Sequence, residues 1–176
     1  MSALEQAVKP ILEPMILGQK TNLSVQDAEI LAAWLMKTAY VSQGVGDWFA
    51  TGEEMQRFAH DSHRPPENLR AWIGAWRGGK GGDVWTYAWE WAEDSNTRQF
   101  LQNSHFTVFA IGHVAVVVAR SPDPNLMAYS PPGRWGLHLK QLWPTSQTVA
   151  WPPLLDMTLE RVLKLRRRYV NGLNAR

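Results

Sequence analysis

The chain of 176 residues carries 18 Lys and Arg against 16 Asp and Glu, and is 45% hydrophobic and 19% charged. That length suits one domain, and the composition excludes a disordered chain, a collagen-like repeat and a long coiled coil. The absence of cysteine excludes a disulfide scaffold and a thiolate metal site, and a net charge of +2 by itself points to no class of partner.

The N-terminal residues read as helix. Ser2 and Glu5 make an S-x-x-E capping box, and Leu4, Val8, Ile11, Leu12, Met15 and Ile16 follow at helical spacing. Pro10 and Pro14 interrupt the run, so a kink or a restart at Pro10 is expected. Neither a basic start nor a continuous apolar core marks a secretion signal here.

Ser24 and Asp27 open a second helix, in which Ala28, Leu31, Ala32, Leu35 and Ala39 form one stripe widened by Trp34 and Tyr40. Gly44 and Gly46 end it. Thr51 and Glu54 open a short third helix with Met55, Phe58 and Ala59 inward, closed by Pro65 and Pro66.

The period then changes to alternation. Residues 69–77 predict a strand and 84–92 its hairpin partner, joined by the loop Gly78-Gly79-Lys80-Gly81-Gly82. Trp72 and Trp76 share one face of the first strand; Trp85, Tyr87, Trp89 and Trp91 share one face of the second. Residues 105–111 and 114–120 predict two more strands around a tight turn at Gly112-His113. Residues 135–143 and 148–151 predict a last pair, which Pro152 and Pro153 end. The apolar run Val114 to Ala119 is strand-length and too short for a bilayer. A soluble, cytoplasmic protein is expected.

Asp156 is placed to cap a C-terminal helix with Leu159, Val162, Leu163 and Val170 inward and Gly172 at its end. The predicted fold is one α+β domain: helices over 1–66, an antiparallel sheet of about six strands over 67–153, and a basic helix over 154–176.

Catalytic signatures are weak. The glycine loop lacks the Ser or Thr after Lys80 and the following helix that a phosphate loop needs, so it reads as a hairpin. His60, Asp61 and His63 lack a further ligand and the Glu of H-E-x-x-H, and no metal site is assigned. His113 and His138 stand alone and read as structural or exposed. No Ser has the nucleophile-elbow context. Glu90, Glu93 and Asp94 read as a solvated turn. No catalytic residue and no cofactor are assigned, and an enzyme with an unrecognised site is the least favoured reading.

Charge is unevenly spread. Residues 157–176 hold six cations and one anion, a local +5, which leaves −3 on the preceding 156 residues. Such asymmetry points to an anionic partner. Arg161, Lys164 and Arg168 fall on one helical face, and Arg161, Lys164, Arg167 and Arg168 are the candidate phosphate contacts, with Lys80 and Arg134 secondary. The ten tryptophans read first as aromatic core. A rival reading makes Trp72, Trp76, Trp85 and Trp89 a protein-interaction face.

Several segments, taken in order, carry a family likeness. M-S-A-L-E-x-x-V-K-P-I-L-E-P-M-I at the N-terminus, L-A-A-W-L-M-K-T-A at 31–39, W-I-G-A-W at 72–76, I-G-H-V at 111–114, Q-L-W-P at 141–144 and W-P-P at 151–153 together resemble the region after the zinc ribbon of bacterial HNH-endonuclease-like proteins. The C-x-x-C pair and the His-Asn-His centre of that family are absent from this sequence, so no nuclease residue is carried over. The resemblance implies an accessory, non-catalytic domain. With the basic segment, it makes a nucleic-acid-binding domain the leading expectation. The alternative is a stand-alone interaction module or inhibitor in a bacterial or phage conflict system.

Overall fold

A computed structural model describes residues 2–42, 56, 58, 64–77, 85–90, 105–120 and 136–164. The fold is α+β. Two long helices, α1 (Ala3–Ile16) and α2 (Val25–Ser42), flank a short strand β1 (Thr21–Leu23). The strands β2 (Leu69–Ala75), β3 (Trp85–Glu90), β4 (His105–Ile111), β5 (Val114–Arg120), β6 (Lys140–Trp143) and β7 (Val149–Trp151) follow. All strand pairs are antiparallel.

Helix α1 starts where the capping box places it: the Glu5 N–H donates to Ser2 Oγ and the Glu5 carboxylate accepts from the Ser2 N–H. It does not restart at Pro10; one helix runs through both prolines. An interior proline costs about 3 kcal/mol. Leu4, Val8, Leu12 and Met15 are all buried, at roughly 1.5–3 kcal/mol per side chain, and that burial holds the helix across the two missing N–H donors. Ser24 and Asp27 cap α2 by the same reciprocal bonds. Gln56 and Phe58 are helical; the remainder of the expected third helix lies outside the described residues.

The main sheet has five strands in the order β3-β4-β5-β2-β6, and β1 pairs with β7 in a separate ribbon. The tight hairpin β4–β5 forms as expected, with Gly112 at φ +54°. A Cβ there would sit 2.6 Å from Ile16 Cγ2 and 2.7 Å from Ile16 O, because the hairpin tip carries the end of α1.

Two expected pairings do not form. β2 pairs with β5 and β6 rather than β3, and β6 and β7 pair with β2 and β1 rather than with each other. Strand β2 is apolar on both faces and buried over nearly its whole length, which suits an interior position. β5 is buried throughout and takes the centre. β3 stands at the edge, with β4 and β5 between it and the Trp72 row.

One sheet face carries Leu69, Ala71, Ile73, Val114, Val116 and Val118, which join Leu31, Leu35, Met36 and Met15 of the helices in one core. The opposite face carries Trp72, Trp76, Val108 and Val117, covered by Leu139, Met157 and Val162. Trp76 and Met157 form a parallel bridge in which the Met157 N–H donates to Ala75 O and the Arg77 N–H to Met157 O. The chain after β7 is thereby sewn to the end of β2.

Candidate functional site

The C-terminal helix does not begin at Asp156. Residues 159–164 are helical, and Thr158 is the cap: its carbonyl accepts from the Val162 N–H and its hydroxyl from the Arg161 N–H. Val162 is fully buried, but Leu159 and Leu163 are exposed. Val170 and Gly172 lie outside the described residues. Among the described residues of this helix, Val162 is the one in the core of that sheet face, beside Met157 and Leu139.

Asp156 joins a polar cluster at the helix root. Its carboxylate pairs with Arg77 Nε at 3.0 Å. Its carbonyl accepts from Arg161 Nη1 at 2.6 Å, and the same Nη1 lies 2.7 Å from His138 Nδ1. His138 Nδ1 in turn lies 3.0 Å from the Asp156 carbonyl oxygen, so the three groups form one compact polar triangle in which Arg161 can only donate. His138 is buried, in keeping with the structural role expected of it.

The candidate phosphate contacts therefore separate. Arg161 is a half-buried clamp between His138 and Asp156, not an exposed cation. Lys164 is 62% exposed and pairs with Glu160 at 2.7 Å, and that contact lowers the Glu160 carboxyl below its usual range. An exposed pair one helical turn apart is weak and salt-screened, so Lys164 exchanges readily to another anion. Arg167, Arg168, Lys80 and Arg134 lie outside the described residues.

The tryptophan face also divides. Trp72 and Trp76 are 2% and 7% exposed and belong to the core under Met157 and Val162. They offer no surface for a partner. Trp85 and Trp89 stand opposite Ala110 and Phe106 in the register of the edge strand β3. Among the described residues no group of three or more His, Asp or Glu could hold a metal ion, and no helix is long and apolar enough to cross a membrane. His60 and His63 lie outside those residues.

Sequence reasoning missed the Arg161–His138–Asp156 clamp. Nothing in local pattern links positions 138 and 161; only the crossing of the chain at Met157 brings them together. Comparison with protein-family models, curated proteins and solved structures finds no match.

Proposed function

We propose that this chain is a non-catalytic binding domain that contacts nucleic acid through its basic C-terminal segment, and that it acts as an accessory domain of the kind its likeness to HNH-endonuclease-like proteins implies. The observation that carries the reading is the local +5 on residues 157–176 against −3 elsewhere. The helical root supports it. Val162 in the core and Arg161 on Asp156 and His138 hold the start of the helix against the sheet. Lys164 stands exposed one turn beyond Glu160.

In this reading Lys164, Arg167 and Arg168 contact phosphates, Lys80 and Arg134 add secondary contacts, and Arg161 positions the root. Phosphate neutralisation releases counterions, so affinity falls with salt. Reversing charge at Lys164 and Arg168 together weakens binding to short DNA or RNA and flattens its salt dependence. Unchanged affinity in that double variant refutes the assignment. The rival tryptophan-face module loses support because two of its four residues are buried.

A further inference from the structure

At the end of β2 opposite the Met157 bridge, α2, the segment leading into β2 and the end of β6 enclose a cleft of about 420 Å³. Small-ligand sites fall at roughly 300–1,000 Å³. Its walls include Met36 and Tyr40, one turn apart on α2, with Phe58 and Trp143. Trp143 is fixed in place, since its indole N–H donates to Pro66 O at 3.1 Å. The Arg64 guanidinium stands over that ring, 5.8 Å from its centroid.

Arg64 is 72% exposed and its Nε pairs with Glu29 at 3.4 Å, which leaves its terminal amino groups to serve an incoming acceptor. A second guanidinium, Arg120, also lines the cleft and is 6% exposed. The register places it there, because Arg120 stands opposite Leu69 where β5 ends; it interacts within the chain as well. Among the described lining residues the only carboxylate is Glu67. Aromatic walls favour a flat ring. Guanidinium groups beside an aromatic wall favour an anion attached to that ring, and partial enclosure strengthens the attraction.

We propose that this cleft binds a small planar aromatic anion, with the ring beside the half-buried Tyr40 and Phe58 and next to the buried Trp143, and the anionic group on Arg64. Aromatic carboxylates and nucleoside monophosphates share this chemistry. The site lies on the helix-covered side of the sheet, and none of its described lining residues comes from the C-terminal helix.

The test is calorimetric titration of the full chain with benzoate and with AMP, beside neutral benzamide and adenosine and inorganic phosphate alone. The Trp143 indole N–H resonance reports occupancy. The proposal expects one or both anions to bind and to shift that resonance, with the neutral partner weaker by roughly tenfold. Benzoate binding alone identifies a carboxylate site; AMP binding alone identifies a nucleotide site. Arg64→Gln weakens the anion by a similar factor, whereas Arg77→Gln and the Lys164→Glu/Arg168→Glu variant leave it unchanged. Equal binding of the charged and neutral forms overturns the proposal. So does phosphate binding as tightly as AMP, or no binding of any probe at millimolar concentration. If Arg64→Gln fails to fold, the charged-against-neutral comparison on the unmodified chain still decides.

Discussion

Arg161 Nη1 lies 2.7 Å from His138 Nδ1 and 2.6 Å from the Asp156 carbonyl oxygen, so one side chain ties the C-terminal helix to the turn before β6 and to the segment just before its own cap. Removing it takes a charged donor out of a partly buried site and leaves His138 Nδ1 and the Asp156 carbonyl, 3.0 Å apart, to face each other. Arg161→Ala is expected to cost about 1.5–3 kcal/mol, the range for hydrogen bonds from a charged group. Urea unfolding reads this directly. Lysine at 161, a single point of charge rather than a planar fork, restores only part of the loss. A neutral Arg161→Ala variant contradicts the clamp.

Two tryptophans isolate the value of an indole hydrogen bond. Trp143 and Trp151 are both buried. The Trp143 N–H donates to Pro66 O, while the Trp151 N–H has no partner among the described residues. Replacing either by Phe removes similar ring volume. The Trp143→Phe variant loses this bond, while Pro66 O keeps the one from the Leu69 N–H, so it is expected to be less stable than Trp151→Phe by about 1 kcal/mol. Thermal unfolding of the two variants side by side measures the difference, and an equal or reversed order counts against it.

Gly74 marks a close crossing over the sheet. A Cβ at this position would stand 2.6 Å from His138 O and 2.7 Å from Met157 Cγ. The Met157 side chain can turn, but the 138 backbone is held beside the Arg161 clamp. Gly74→Ala is expected to destabilise by about 1–3 kcal/mol through overpacking. It should also broaden the amide resonances of residues 138–139 and 157. Gly136, with nothing near its Cβ direction, is the control at which alanine is tolerated.

Acid stability should carry the signature of Glu5. The Lys37 ammonium at 2.8 Å, together with the Ser2 backbone N–H, holds its carboxyl at about 2 instead of 4.5. The unfolded chain therefore binds this proton before the folded one does. The contribution is complete above about pH 4.5 and is lost as pH falls toward 2. Glu5→Gln should flatten that part of the stability-against-pH curve at low salt. The pair is well exposed, so high salt should shrink the difference. A curve unchanged by Glu5→Gln at low salt contradicts the coupling.

The sequence shows its local features clearly and its long-range ones poorly. The Ser2–Glu5 and Ser24–Asp27 caps, the α2 stripe and the Gly112-His113 hairpin all depend on residues a few positions apart. Pairing between β2 and β6, or between β1 and β7, joins residues far apart along the chain. Both alternatives for β2 satisfy alternation, and burial on two faces decides between them. Asp156 and Thr158 are both good N-cap types, and Thr158 caps the helix while Asp156 is occupied by Arg77 and Arg161. The candidate site divides in the same way. The concentration of charge after residue 157 is plain in the sequence. That Arg161 is spent internally, and that Trp72 and Trp76 are covered, follows only from the Met157 crossing.

The measurement that bears most directly on the proposed function is fluorescence anisotropy with short single- and double-stranded DNA and RNA, titrated with salt, for the unmodified chain and the Lys164→Glu/Arg168→Glu variant. The account predicts binding whose logarithm falls linearly with log salt, with the slope in the variant smaller by about 2 on duplex DNA. Absence of binding at low salt, or an identical slope and affinity in the variant, would contradict a phosphate-reading C-terminal segment.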